Sequence, residues 1–255
     1  MKCNPTVKDI YDFIDRIAPF SAQCEWDNSG LTVGDKNKPV KKIGVVLDIT
    51  KDAVLSAKEL GCDLVISHHP VIFRATKNFL AEDAAFLLAS NGISAISAHT
   101  SLDIAKGGVN DVLAETLGFE NALPLCDDGE ESMIRAAAII SPVNGEELAK
   151  TVAEKLKTGI RLADSGKIIS KVAVCGGAGG DFIRAVAENG CDAYITGDIS
   201  HHEFLDALDL GITLIAAGHF ETENPVVASL AEKIKNEFAV EVEIIPQNSP
   251  VKYIY

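Results

Sequence analysis

The residues able to do chemistry are few and grouped. All six histidines fall in three places: His68, His69 and His99; His201 and His202; and His219. Each place follows an apolar, β-branched run that reads as a strand. Two of these histidines open the same pattern, with Asp103 four residues after His99 and Glu223 four residues after His219. Imidazole nitrogen and carboxylate oxygen suit Zn, Mn, Fe, Co or Ni, and carboxylate also suits Mg. If Glu223 lies in a helix, the i,i+4 relation puts it on one face with His219. Adjacent His68 and His69 at a strand end can splay toward two ions about 3.5 to 4 Å apart, the spacing of two-metal hydrolysis. The opposing reading is a scatter of structural histidines, because six in 255 residues is no enrichment.

An internal repeat outlines the elements that must hold these side chains. Residues 31–67, shifted by 129, fall on 160–196 without a gap, and ten of the 37 pairs are identical. The paired runs Ile43–Leu47 and Val172–Cys175 read as buried strands. Asp52–Leu60 and Asp181–Asn189 read as helices, each opened by an aspartate and closed by Gly61 or Gly190. Leu64–Ser67 and Ala193–Thr196 are the next strands, followed by Ile93–Ala98 and Ile212–Ala217. Further helices are expected at Val7–Ile17, Val109–Leu117, Glu146–Leu156 and Val226–Phe238, and a last strand at Val240–Ile245. This alternation implies βαβ units, hence α/β domains with mainly parallel sheets. Sites in such sheets gather beyond the carboxyl ends of the strands, where all three histidine groups lie.

The acidic run Cys126–Glu131 reads as a linker. Two similar α/β domains are therefore expected, 1–125 and 126–255, related by internal duplication and an approximate two-fold axis, with a metal site between them. The segment Pro246–Tyr255 is compatible with either domain.

Composition removes whole classes of function. With 37 Asp+Glu against 23 Lys+Arg the net charge is −14, and 47% hydrophobic residues are ordinary for a globular chain. The acidic balance argues against coating nucleic acid, yet leaves room for a local positive site and a small anionic substrate. No stretch approaches the roughly 18 to 20 apolar residues of a membrane helix. Met1–Pro5 lacks a signal-peptide pattern. Cys3, Cys24, Cys62, Cys126, Cys175 and Cys191 form no CxxC pair and read as reduced thiols, mostly in the core, of a cytoplasmic protein. GxSxG is absent, so a serine nucleophile elbow has no support. The turn Gly176-Gly177-Ala178-Gly179-Gly180-Asp181 lacks the GK[ST] of a P-loop; it reads either as a phosphate cradle or as a tight turn with close packing.

The whole chain resembles the Nif-three-like family of dinuclear-metal-centre hexameric proteins, often labelled GTP cyclohydrolase I type 2 homologues. The resemblance rests on Trp26-Asp27-Asn28-Ser29-Gly30-Leu31, Ser67-His68-His69-Pro70, His99-Thr100-Ser101-Leu102-Asp103, Thr196-Gly197-Asp198 with His201-His202, and Gly218-His219 with Thr222-Glu223. It implies two divalent ions per chain, one held by His68, Asp103 and Glu223, the other by His69, His219 and Glu223. It also implies a ring-shaped homohexamer. His99, His201 and His202 lie outside that ligand set; they are candidates for proton transfer or for contact with a substrate phosphate. Trp26-Asp27-Asn28 reads either as a pocket rim or as a turn around a buried Trp. The expected function is metal-dependent hydrolysis of a small phosphate- or nucleotide-bearing molecule, GTP ring opening being what the family label implies. The alternative is a metal-binding regulatory or scaffold ring without turnover.

Overall fold

The computed structural model describes residues 4–125 and 132–252. These fall into two compact units. The first takes the described residues of Met1–Lys106 together with Val227–Asn248. It opens with α1 (Val7–Ile17), β1 (Gly30–Val33), β2 (Lys42–Val46), α2 (Lys51–Glu59), β3 (Leu64–Ser67), α3 (Ala84–Ser90), β4 (Ser94–Ser97) and α4 (Thr100–Ile104). The second takes Gly107–Val226 and the described residues of Ser249–Tyr255. It holds α5 (Val109–Leu117), β5 (Leu123–Pro124), β6 (Arg135–Val143), α6 (Gly145–Leu156), β7 (Arg161–Ala163), β8 (Ile169–Val174), α7 (Ile183–Glu188), β9 (Ala193–Thr196), α8 (His201–Asp209), β10 (Thr213–Ala216) and α9 (His219–Glu223). Then α10 (Pro225–Glu237) carries the chain back to the first unit, where β11 (Glu241–Ile244) ends the order.

The first sheet has strand order β1-β4-β3-β2-β11. Its four strands β4, β3, β2 and β11 are parallel, and β1 lies antiparallel on β4. Every residue of β3 and β4 is buried. Strands covered on both faces carry near-continuous apolar runs rather than an alternation, which is why they were legible as runs. The buried hydroxyls at their ends satisfy each other, with Ser67 Oγ and Ser97 Oγ 2.9 Å apart. Val46, Val54, Val65, Leu88, Ala95 and Ile245 belong to the core on one face of this sheet. Thr6 and Asp9 start α1 with a reciprocal capping box.

The second sheet runs β5-β6-β8-β9-β10-β7. Here β8, β9 and β10 are parallel, while β7, β6 and β5 are antiparallel to their neighbours. Cores lie on both faces, one around Leu113, Val152, Ile169 and Ile195, the other around Ala173, Val186, Tyr194 and Leu214. The sheets are therefore mixed: three parallel strands flanked by antiparallel ones in the second, and four with one antiparallel edge in the first.

Several local expectations shift. The cap of α2 is Thr50, whose side chain accepts from Ala53 N–H, and Asp52 sits in the first turn instead. Asp181 falls in a 3₁₀ turn, Gly180–Phe182, ahead of α7. Strand β6 gives little strand signal because its first four residues, Arg135-Ala136-Ala137-Ala138, carry no β-branched or alternating pattern, and Ile139 and Ile140 are followed by Pro142. The expected boundary run Cys126–Glu131 lies outside the described residues. The grouping changes instead at Lys106/Gly107 and Val226/Val227, because α5 packs on α6, β6 and β8 while β11 pairs with β2. Cys62, Cys175 and Cys191 are buried and Cys24 is partly buried; Cys3 and Cys126 fall outside the described residues. Among the described residues no helix is long and apolar enough to cross a membrane.

One buried charge ties the second unit together. Arg135, at the start of β6, is 2% exposed and its guanidinium holds the Asp111 carboxylate of α5 and the Ser132 carbonyl. Asp111 also accepts from Gly107 N–H at 2.6 Å. Breaking a buried charge pair by removing one partner costs about 3 to 5 kcal/mol. Asp111→Ala is expected to lower the unfolding free energy by about 3 kcal/mol, read by urea denaturation followed by circular dichroism.

Candidate metal centre

In the first unit the carboxyl ends of β2, β3 and β4 deliver Asp48, then His68 and His69, then His99. Ring nitrogens of the three histidines lie within 4.8 Å of one another. The single helical turn α4 starts at His99 and brings in Asp103, which is buried. In the second unit the ends of β8, β9 and β10 deliver Gly176 and Gly177, Asp198, and His219 at the head of α9. One turn later comes the buried Glu223.

Four of the histidines are fixed through Nδ1. His68 Nδ1 lies 2.9 Å from the Ala98 carbonyl oxygen. His69 Nδ1 is 2.7 Å from Asp48 Oδ1, His99 Nδ1 2.8 Å from Asp27 Oδ1, and His219 Nδ1 3.0 Å from Asp198 Oδ2. A carbonyl or ionised carboxylate only accepts, so Nδ1 carries the proton and in the neutral ring Nε2 carries the lone pair. Two of these Nε2 atoms meet carboxylates: His68 Nε2 is 3.7 Å from Asp103 Oδ1, and His219 Nε2 is 3.2 Å from Glu223 Oε2. The second distance realises the expected i,i+4 pairing. In both pairs a lone pair faces a carboxylate oxygen, and two acceptors repel unless a proton or a cation stands between them. Imidazole with carboxylate, backed by oxygen acceptors on the far nitrogen, is the donor set of a divalent transition metal.

Of the supporting residues, Asp27 and Asp198 stand in the quoted motifs, whereas Asp48 and Gln247 stand in none. Asp48 is held in turn by Gln247, whose Oε1 accepts from Leu47 and Asp48 N–H at 2.8 and 3.0 Å and whose Nε2 donates to Asp48 O at 2.7 Å. The start of the C-terminal segment thus belongs to the first unit. Asp48 stands at a strand end beside those of His68 and His99, and that position was the available signal. The Asp27 side chain is fully buried. Burial pushes its carboxyl up, but hydrogen bonds from His99, Thr100 and the Asn28 N–H outweigh that and hold it well below the usual carboxylate range. Trp26, beside it, is 61% exposed, so the turn is pinned by its aspartate and not by a buried indole.

The glycine-rich turn is a bed for Glu223. Gly177 has φ +66°, and a Cβ there would lie 2.2 Å from Glu223 Oε1. Its N–H groups are used internally: Gly176 donates to Asn110 Oδ1, Gly177 to Thr222 Oγ1 and Gly179 to Thr196 Oγ1. Of the two readings of this turn, close packing is the one seen. His201 and His202 are not brought to the His219–Glu223 pair. Both are exposed at the head of α8, with His202 Nδ1 3.0 Å from Ser200 Oγ, the capping residue.

Two measurements check this geometry. The folded-state pKa of Asp27 lies below its unfolded value of about 3.9, so its stabilisation is present above that value and is lost as pH falls through the folded one. Wild type should be more stable than Asp27→Asn at neutral pH, and the gap in denaturation midpoint should close in acid. Gly177→Ala meets both a strained φ and a clash, and should cost about 1 to 3 kcal/mol by denaturant titration.

Comparison with known proteins bears on the family and the fold. Residues 5–250 match the family model described as Duf34/NIF3 (NGG1p interacting factor 3). A GTP cyclohydrolase 1 type 2 homolog of Clostridium perfringens is 34% identical over 248 residues, 94% of this chain and 95% of that protein. One from Methanocaldococcus jannaschii is 34% identical, covering 85% and 89%. Among solved structures, reduced HcgD from Methanocaldococcus jannaschii aligns with a TM-score of 0.81 at 33% identity, over 93% of this chain and 96% of that one. A Staphylococcus aureus hypothetical protein aligns with a TM-score of 0.90 at 25% identity, over 98% and 100%. The chain belongs to the DUF34/NIF3 family.

Proposed function

We propose that this chain is a metal-dependent hydrolase of a small phosphate- or nucleotide-bearing substrate. In this reading His68, Asp103 and Glu223 hold one divalent cation, and His69, His219 and Glu223 hold a second, with Zn, Fe, Mn, Co or Ni as the metal. The observation that carries it is the pair of facing acceptors, His68 Nε2 with Asp103 and His219 Nε2 with Glu223, each histidine proton being committed at Nδ1. When bound, such cations supply Lewis acidity toward a phosphoryl or carbonyl oxygen and make water a nucleophile near neutral pH. His99 does the proton work. The buried Asp27 carboxylate fixes its tautomer, so Nε2 accepts a proton from the attacking water and returns it to the leaving group. The exposed His201 and His202 contact the substrate phosphate. The name carried by the curated relatives points to GTP ring opening within this class. The ten identities of the repeat and the parallel trios β2-β3-β4 and β8-β9-β10 support a duplicated origin for the two halves. The family resemblance supports a homohexamer.

Elemental analysis of the purified protein should find two ions per chain, and markedly less in Glu223→Gln. Uptake should weaken as the pH is lowered, because a proton competes for the same Nε2 atoms. Metal-loaded protein should then turn over a member of a panel of GTP, other nucleotides and phosphoesters. Full occupancy without turnover on any of them would leave the regulatory or scaffold ring as the better reading.

A further inference from the structure

The sequence motif around Trp26 contributes an aspartate to the centre, but its indole has no part in metal binding or proton transfer. Trp26 is 61% exposed and Phe73 is 42% exposed, unusual for large aromatic rings beside a polar cluster. Their centroids are 5.8 Å apart and their planes are inclined by 60°, so the rings do not stack on each other. Both instead set an edge-type contact on His99, each at 5.9 Å, with interplanar angles of 73° and 79°. His99 in turn lies against the rings of His68 and His69, at 5.2 and 5.3 Å. The order in space is thus an open aromatic pair, then one imidazole fixed by a buried carboxylate, then the ligand histidines.

We propose that Trp26 and Phe73 form a stacking subsite for a planar nitrogen heterocycle, with His99 Nε2 as its polar contact. The proposal deepens the hydrolase reading, since it names the ring-bearing part of a nucleotide-type substrate. Aromatic faces bind any planar base through stacking, with little regard to its identity. The polar edge at His99 favours a ring that carries nitrogen donors or acceptors over an aliphatic chain, which would leave that edge unmatched.

Trp26 is the only tryptophan in the chain, so its emission reports on this spot alone. The full-length protein, metal-free and metal-loaded, would be titrated with guanosine monophosphate and with ribose phosphate, which shares the anion but lacks the ring. Saturable quenching by guanosine monophosphate and none by ribose phosphate is the expected result. Phe73→Ala should weaken that binding at least about tenfold, near the worth of one base–aromatic stack, while metal content stays at the wild-type level. Equilibrium dialysis with Trp26→Ala should show the same loss. Three results would each overturn the subsite: no saturable response in either metal state, an equal response to ribose phosphate, or unchanged affinity in both variants. Emission that shifts on diluting the protein but ignores the nucleotide would also overturn it, and would mark the pair as covered by a second copy of the chain. Quenching in a protein that takes up no metal would sink the hydrolase reading and leave the subsite standing; normal metal uptake and turnover without quenching would do the reverse.

Discussion

The hydrogen bond from histidine Nδ1 to an oxygen acceptor governs the histidine sites of both units. Ala98 O, Asp48, Asp27 and Asp198 each take one ring proton, and with it they fix which nitrogen carries the lone pair and which way the ring faces. A histidine without such a partner can exchange tautomers and rotate. Four with partners present four basic nitrogens at defined places, the condition for holding a metal or moving a proton. The carboxylates opposite those nitrogens would otherwise be a liability, since Asp103 and Glu223 are buried anions.

The fold satisfies this condition with short pieces placed at strand ends. Parallel strands put their carboxyl ends on one edge, so side chains from β2, β3 and β4 converge without any long loop. Asp103 and Glu223 each ride on a helix of one turn, too short to be stable alone. Each is held by its surroundings: Thr100 by Asp27, and Thr222 by Gly177, whose missing side chain leaves the space that Glu223 fills. The second layer reaches far along the chain. Gln247 fixes Asp48 across a separation of 199 residues, and Asp48 fixes His69.

Legibility differed by element for physical reasons. The buried parallel strands were readable because both faces are covered, so their apolar runs are continuous. Helices α1 and α5 were readable because caps and apolar spacing agree. β6, β7 and the one-turn helices were not readable, because three to nine residues of mixed or alanine-rich sequence carry too little periodicity. At the centre, the six histidines and the two acids spaced four residues from a histidine could be found by pattern. Asp27, Asp48 and Gln247 could not be assigned, because an aspartate at a turn and a glutamine near a chain end are ordinary residues until their partners are known.

The sequence by itself determined the chemistry available: imidazole and carboxylate without thiolate, placed after apolar strands, in a chain of net charge −14. It determined the parallel strands as well, since local apolar runs depend only on neighbouring residues. The tertiary structure alone decided which nitrogen of each histidine is basic, that Asp103 faces His68 rather than His99, and that the glycine turn serves Glu223. Those facts depend on contacts between residues distant in the chain, and hydrogen-bond direction at a ring nitrogen is set by the partner across the fold, not by the residues beside it.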